Sequence, residues 1–222
     1  HLTTTGKKRL GQHFYGQNIK PHIVRDNSVV PVGFVYEGDG HLCDVYVQHP
    51  AKGHFRPELT LWIDVRSHYV VGWWISESES AQTTLFSLSQ ALVSHDHVPA
   101  YVHTDPGSGF KARMISDETA GFLAKFDIQA MVALPGNAKG KGLVEGFFRW
   151  FEERCGKRFA SFCGHCRTDD ELSRLSSKIA RGEIHAFHPS SGALLIADHV
   201  SRLGQPGVLS AFFLQYPLLT WF

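Results

Sequence analysis

The sequence predicts an α/β fold, a mixed five-stranded sheet with helices on both of its faces. Three observations lead to this prediction. Strand-like apolar segments come first, segments with apolar residues at helical spacings of three and four follow, and short apolar segments lie between those helices. Strands in a meander that then alternate with helices are typical of a domain with a mixed sheet.

The composition is that of an ordinary globular protein. Of the 222 residues, 43% are hydrophobic and 19% are charged, which excludes a disordered chain. The formal net charge is only +1, so charge alone does not indicate binding to nucleic acid. The sequence shows no signal peptide and no apolar run long enough to cross a membrane, so we expect no membrane association. Because the chain begins with His1 and not Met, we expect it to be part of a longer protein.

Changes in composition divide the chain into three parts. Residues 1–28 are polar, contain several glycines and show no periodicity, which predicts a linker or arm. Residues 29–182 contain the predicted strands and helices and form one predicted domain. Residues 183–222 end in an apolar segment that Pro206 and Pro217 interrupt, and the sequence predicts no role for this tail.

The first strands are predicted from short apolar and alternating segments. Residues 32–36 and 42–47 indicate one long or bulged strand around a polar turn at residues 37–40. Residues 59–65 and 69–75 indicate two further strands joined by a tight hairpin. Three antiparallel strands are therefore expected to open the domain.

Helices and strands alternate in the remainder of the core. Ser78 or Ser80 is a candidate N-cap for the first helix, and Thr168 for the last. The predicted helices are residues 80–94, 113–125, 143–154 and 169–180, the predicted strands are 100–102 and 128–134, and residues 135–141 form a glycine-rich loop. This order of elements matches the ribonuclease H-like fold.

Three acidic residues lie on elements that this fold would bring together. Asp39 lies in or beside the first strand, Asp105 follows the strand after the first helix, and Glu145 lies in the first turn of the helix at 143–154. Phosphodiester cleavage can use two divalent cations about 3.5–4 Å apart, which activate the nucleophile and neutralise charge. Because Mg²⁺ prefers oxygen ligands, the three carboxylates are the candidate catalytic residues and metal ligands. Each alone has an ordinary alternative, as a turn former or a helix-dipole partner.

The segments around these acids resemble the motifs of one family. Residues 38–42 are similar to its first-aspartate motif, residues 56–67 with 70–73 to its second and third strands, residues 104–107 to its second-aspartate motif, and residues 139–148 to its glutamate motif. The family is the phage Mu-type transposases, within the DDE integrase and transposase superfamily. The 39 residues between Asp105 and Glu145 are within the range usual for that superfamily.

The resemblance implies a DDE-type transposase that cleaves DNA and transfers the cut strand to a target. It implies that Asp39, Asp105 and Glu145 hold two Mg²⁺ or Mn²⁺ ions when DNA is bound. It also implies DNA element ends and target DNA as partners, a homo-oligomer on DNA, and a bacterial or phage-encoded protein in the cytoplasm. Two residues depart from the pattern, since Pro106 stands where Asn is usual and Gly146 where Arg is usual. Alternatives are a metal-dependent nuclease without joining activity and a decayed remnant that binds DNA weakly.

Two pairs of residues are further candidates for binding. Lys139 and Lys141 precede the glutamate helix, where they would contact a DNA phosphate or belong to a solvated loop. Cys163 and Cys166 have the spacing of half a structural zinc site, but no second pair follows, so free thiols are the preferred interpretation.

Two residues near the predicted site are interpreted as structural. Asp64 is a rival for the first ligand position, but it lies in the second strand, where we expect it to accept a hydrogen bond from Ser67 at the end of the hairpin. His103 lies two residues before Asp105, and we expect it to be structural and not catalytic.

Overall fold

A computed structural model of the chain describes residues 27–49, 53–104, 117, 121–132, 142–166 and 168–186. Its strands are β1 (Val35–Leu42), β2 (Val47–His49), β3 (Gly53–Phe55), β4 (Glu58–Asp64), β5 (Val70–Ser76), β6 (Tyr101–Thr104) and β7 (Gln129–Val132). Its helices are α1 (Ala81–His95), α2 (Phe122–Lys125), α3 (Gly142–Arg154) and α4 (Asp169–Ala180), with short 3₁₀ turns at Asn27–Val29 and Gly156–Arg158.

Five of the strands form one mixed sheet in the order β5-β4-β1-β6-β7. β4 is antiparallel to both β1 and β5, whereas β6 is parallel to both β1 and β7. The predicted mixed five-stranded sheet and its opening antiparallel meander are confirmed. This order places β1 at the centre of the sheet, between the hairpin and the two parallel strands.

β1 differs from its prediction because residues 37–40 are part of the strand and not a turn. The close packing of Trp62 on β4 explains why glycine is needed here, since a Cβ atom at Gly38 would lie 2.4 Å from the indole ring. The prediction that residues 42–47 continue the same strand is also wrong. β1 ends at Leu42, and Val47 begins a separate two-stranded ribbon in which β2 pairs with β3.

Later elements agree with the sequence where the structure describes them. α1 begins after Ser80, whose side chain accepts a hydrogen bond from the Thr83 N–H in a capping box. α4 has the predicted bounds, and Thr168 caps it in the same way. The exception is the helix predicted at residues 113–125, because Asp117 and Gly121 are not helical and α2 begins only at Phe122. Within the strand predicted at residues 128–134, the structure describes β7 from Gln129 to Val132.

Helices cover both faces of the sheet, as predicted. On one face the sheet packs against α1 and α2, through a cluster that includes Tyr36, Trp62, Leu88, Ala91, Val102 and Leu123. On the other face it packs against α3, through a cluster that includes Leu59, Leu61, Ile63, Val144, Phe148 and Phe151. The second of these buried clusters fixes α3 against the sheet.

α4 packs beside the small ribbon. Leu175 and Ile179 of α4 share a buried cluster with Cys163 and Ala186, and the His54 ring of β3 lies 2.7 Å from the Ser176 hydroxyl. Among the helices that the structure describes, none has the length and apolar character needed to cross a membrane.

Candidate active site

The candidate site lies where the central strand β1 faces helix α3. Alternate residues of a strand point to the same face, so Glu37, Asp39 and His41 share one side of β1. A carboxylate oxygen of Glu37 accepts a hydrogen bond of 3.2 Å from the Val144 N–H. The His41 ring stacks on Phe148, with ring centroids 4.7 Å apart and an interplanar angle of 21°. Asp39 therefore faces the part of α3 between Val144 and Phe148.

Glu145 lies in that part of α3. It belongs to the first turn of the helix, and its side chain is exposed, whereas Val144 beside it is fully buried. Asp39 is half-buried at the middle of β1. The two predicted carboxylates thus belong to the segments of β1 and α3 that contact each other through Glu37, Val144, His41 and Phe148.

The other predicted contributors lie outside the described residues. These are Asp105, Lys139 and Lys141. β6, which leads to Asp105, ends at Thr104 and runs parallel to β1 in a register that sets Glu37 opposite His103. The ends of β1 and β6 that follow these residues therefore approach the same edge of the sheet.

Sequence reasoning missed Glu37 as a buried residue of the site. Only 4% of Glu37 is exposed, and only 3% of His103. The Glu37 Oε2 atom lies 3.2 Å from the His103 Nδ1 atom, while Oε1 accepts the hydrogen bond from Val144. A strict alternation through residues 35–41 would have placed Glu37 on the face of Asp39, but the flanking glycines indicated a turn instead.

A second carboxylate fixes the far end of β1 to α3. Glu152 Oε1 accepts a hydrogen bond of 2.8 Å from the Asp44 N–H and lies 2.9 Å from the His41 Nε2 atom. Asp44 in turn accepts a 2.6 Å hydrogen bond from the Arg56 guanidinium. Within the described part of the chain, the buried Oε2 atom of Glu152 has no hydrogen-bond partner. This network holds His41 over Phe148, next to the proposed ligand Asp39.

The environment of the site is acidic. Burial raises the pKa of Glu58, and the negative charges of Glu79 and Asp39 raise it further, while His41 and Arg56 lower it. Glu58 is the residue of β4 that pairs with Leu42 at the end of β1. Because like charges repel when they are brought together, a cation near Asp39 would relieve this repulsion.

Asp64, the rival ligand, serves the hairpin instead. Its Oδ1 atom accepts a 2.8 Å hydrogen bond from the Gly33 N–H, and its Oδ2 atom accepts hydrogen bonds from the Ser67 N–H and hydroxyl. Asp64 is almost fully buried, and its charge adds to burial in raising the pKa of Tyr36 to about 12. The interpretation of Asp64 as a hydrogen-bond acceptor at the end of the hairpin is therefore consistent with the structure.

All four cysteines lie in the described part of the chain, and none of them forms a disulfide bond there. Among the described residues, which include all four cysteines, no three His, Cys, Asp or Glu side chains are grouped to hold a metal ion. Cys163 is buried, and burial raises the pKa of its thiol to about 11. These observations favour free thiols at Cys163 and Cys166 over half a zinc site.

Comparison with known proteins agrees with this arrangement. The integrase core domain family matches residues 39–138, a range that begins at Asp39 and includes Asp105. Domains of that family generally use divalent metal ions, and the family implies binding to DNA. The chain is 24% identical over 146 residues to the transposase for transposon Tn552 of Staphylococcus aureus. This alignment covers 62% of the chain but only 30% of the relative, so the chain spans less than a third of that transposase.

Two solved structures are also similar. One is a chain from the simian T-cell lymphotropic virus intasome in complex with PP2A regulatory subunit B56 gamma, with a TM-score of 0.48 and 19% identity, covering 72% of this chain and 51% of that chain. The other is the catalytic core domain of BIV integrase, with a TM-score of 0.41 and 18% identity, covering 77% of this chain and 99% of that chain.

Proposed function

We propose that this chain acts on DNA through a catalytic core of the DDE transposase and integrase class. The chain cleaves a DNA strand and transfers the resulting 3′ end to target DNA. The observation that supports this proposal most directly is that Asp39 lies on β1 and Glu145 on α3, two elements that face each other. β1 is the central strand of a sheet with the order β5-β4-β1-β6-β7. Membership of the Mu-type branch is part of the proposal and is supported by the motifs at residues 38–42 and 56–67.

Asp39, Asp105 and Glu145 are proposed to form the catalytic triad. In the described pairing of β1 with β6, each β6 residue has a sequence number 66 higher than that of its β1 partner, as in Glu37 opposite His103. The same offset, carried two positions further, matches Asp39 with Asp105. This numerical match supports a common site for the two aspartates, and the contacts of α3 with β1 support adding Glu145 to it.

The chemistry of the three proposed carboxylate donors suits two divalent metal ions of the Mg²⁺ or Mn²⁺ kind, while the described residues, which do not include Asp105, contain no group of three such ligands. Carboxylate oxygens are the ligands these hard cations prefer. The charges of Glu79 and Asp39, which add to burial in raising the pKa of Glu58, also favour a nearby cation. When bound, the ions would supply activation of the attacking oxygen and neutralisation of charge on the phosphate. Asp39 lies on strand β1 and Glu145 on helix α3, and we propose that Asp105, which follows β6 in the sequence, completes the set.

DNA contacts are proposed for Lys139 and Lys141. Both precede Gly142, where α3 begins. Helix N-termini and lysine side chains both attract phosphate, so these residues would contact the DNA backbone beside the cleaved bond.

The wider biology of the protein follows from the same premise. Joining two element ends requires two active sites, so we propose a homo-oligomer on DNA with element ends and target DNA as partners. The core occupies residues 29–182, with an arm at 1–28 and a C-terminal tail at 183–222. A bacterial or phage-encoded, cytoplasmic protein is proposed, and the similarity to a Staphylococcus aureus transposase supports a bacterial setting.

Strand transfer by the whole chain tests the proposal. Incubation with labelled DNA ends, target DNA and Mn²⁺ should give both cleaved and joined products. Asp39→Asn, Asp105→Asn and Glu145→Gln should each reduce both products to background, because each removes one metal ligand. Glu153→Gln is the matched control, since Glu153 is an exposed acid on the same helix, and it should retain activity.

The products separate the alternatives. Cleavage without joined products would indicate a nuclease of the same fold. Calorimetry of Mn²⁺ binding tests the alternative that the chain is a decayed remnant. A chain with an intact triad should bind the ion, and its Asp39→Asn variant should bind it more weakly. An unchanged Mn²⁺ affinity in Asp39→Asn and Asp105→Asn would overturn the triad.

A further inference from the structure

We infer that Glu37 is a positioning residue that fixes the glutamate helix α3 to the two strands that lead to the catalytic aspartates. This inference rests on the proposed function, because it assigns Glu37 a role relative to Asp39, Asp105 and Glu145. Glu37 lies two residues before Asp39 and contacts a residue two positions before Asp105 and a residue one position before Glu145. One buried side chain thereby links the three segments that carry the triad.

Both oxygens of the Glu37 carboxylate are engaged by the chain. Oε1 accepts a hydrogen bond of 3.2 Å from the Val144 N–H, and Oε2 lies 3.2 Å from the His103 Nδ1 atom. Glu37 and His103 are almost fully buried, and Val144 is fully buried. A carboxylate that is held in this way by protein donors, out of contact with solvent, is suited to holding an element in place and not to binding a metal ion.

The contact with Val144 supplies what the start of α3 requires. The first four N–H groups of a helix have no partner within the helix, and Val144 is the third residue of α3. A carboxylate at a helix N-terminus also interacts favourably with the helix dipole. Glu37 therefore caps the N-terminus of α3 from β1, a strand far away in the sequence. This contact sets where the first turn of α3, with Glu145, lies relative to β1.

The length of the side chain at position 37 distinguishes a positioning role of Glu37 from metal binding by Glu37. Gln has the length of Glu, so Glu37→Gln can still accept from Val144 and can donate from its amide to a neutral His103. Glu37→Asp keeps the charge but is one methylene shorter, and Glu37→Leu removes both contacts. A positioning role predicts that Gln preserves function and that Asp and Leu lose it, whereas a metal ligand would be served better by Asp than by Gln.

Hydrogen exchange at the Val144 amide tests the contact without reference to activity. In Glu37→Leu and Glu37→Asp the exchange should be at least about tenfold faster than in the unaltered chain, because the buried N–H loses its acceptor. In Glu37→Gln it should remain within about threefold. Equal exchange rates in Glu37→Gln and Glu37→Leu, or slow exchange in Glu37→Asp, would overturn the inference.

The Mn²⁺ dependence of strand cleavage tests the consequence for the site. The Mn²⁺ concentration for half-maximal cleavage should rise about tenfold or more in Glu37→Asp and Glu37→Leu and return towards the original value in Glu37→Gln. Asp64→Asn is the control, since it alters another buried carboxylate that accepts backbone hydrogen bonds, but at the hairpin. Asp64→Asn should lower stability and leave the Mn²⁺ dependence unchanged.

The two measurements distinguish a failure of the proposed function from a failure of the positioning role of Glu37. If the unaltered chain shows no Mn²⁺-dependent cleavage, the proposed function is wrong, and the exchange data still decide whether Glu37 holds α3. If the unaltered chain cleaves DNA and Glu37→Asp retains activity better than Glu37→Gln, the positioning role is wrong while the proposed function stands.

Discussion

Gly38 and Gly146 are single residues with opposite expected responses to the same substitution. A Cβ atom at Gly38 would meet the buried Trp62 ring at 2.4 Å, whereas a Cβ atom at Gly146 would meet nothing within 4 Å. Gly38→Ala should therefore lower the free energy of unfolding by about 1–3 kcal/mol, because overpacking displaces the ring. Gly146→Ala should raise it by about 0.5–1 kcal/mol, because alanine favours the helix.

Urea unfolding of both variants measures these changes. The pair serves as its own control, since each variant adds one methyl group to a glycine. A loss of stability in Gly146→Ala equal to that in Gly38→Ala would show that the packing around Trp62 is not the cause.

The thiols provide a prediction that depends on pH. Burial raises the pKa of Cys155 and of Cys163 to about 11, and raises that of Cys43 well above the usual range. Burial and the charges of Glu171 and Asp44 also raise the pKa of Cys166, but Cys166 is the partly exposed cysteine of the four. At pH 7.5 iodoacetamide should therefore modify the native chain at Cys166 first. The rate should rise about tenfold per pH unit while pH is below the thiol pKa, because the thiolate is the reactive form.

Mass spectrometry of the labelled chain identifies the modified site. Cys166→Ser should leave the native chain almost unreactive at pH 7.5, and unfolding in urea should expose the other three thiols. Protection of Cys166 that a chelator removes would contradict the interpretation as a free thiol and would revive the zinc site.

At the scale of elements, the N-cap of α4 makes a measurable contribution to stability. The Thr168 side chain accepts a hydrogen bond from the Glu171 N–H, and the Glu171 side chain accepts one from the Thr168 N–H. Thr168→Ala should lower the free energy of unfolding by about 1 kcal/mol, because the Glu171 N–H loses its side-chain acceptor. Thermal unfolding checks this, with the exposed Ser173→Ala on the same helix as the control.

Ser173→Ala should be neutral or slightly stabilising, because it improves helix propensity without altering the cap. If the two variants have equal stability, the capping box contributes little, and α4 is held mainly by the burial of Leu175 and Ile179.

α4 and β1 show which elements the sequence could specify. α4 was predicted with the observed bounds because its cap and its apolar spacing are both local signals. β1 was divided by a false turn because two glycines and an aspartate in a row usually indicate one. The close approach of Trp62 to Gly38 that makes these glycines part of a strand is a contact between strands, which no local pattern reveals.

At the scale of the whole molecule, the sheet was predictable from patterns along the sequence, whereas part of the site depends on contacts between distant residues. The mixed sheet with its opening antiparallel meander is predictable from the order of strands and helices, since few topologies connect such a chain without crossings. The role of Glu37 did not follow, because its two partners lie 66 and 107 residues away in the sequence. Motifs predict Asp39 and Glu145 as site residues, and the structure adds that β1 and α3, which carry them, are in contact through Glu37, His41, Val144 and Phe148.

The net charge of the chain leads to the last prediction, which concerns DNA affinity. With a net charge of +1, the chain has little general attraction for DNA, and Gly146 stands where the resemblance implies an arginine beside Glu145. Gly146 is exposed, and the space around it is open, so an arginine fits there without disturbing the core. Gly146→Arg should therefore add one phosphate contact next to the proposed active site.

Fluorescence anisotropy with labelled DNA over a range of salt concentrations measures that contact. One added phosphate contact should steepen the slope of log affinity against log salt by about 0.9, since one more counterion is released on binding. Gly146→Ala is the control, because it gives the same gain in helix propensity without the charge, and its slope should equal that of the unaltered chain. An equal slope for Gly146→Arg and Gly146→Ala would place the DNA away from the first turn of α3 and would argue against Glu145 as part of the site.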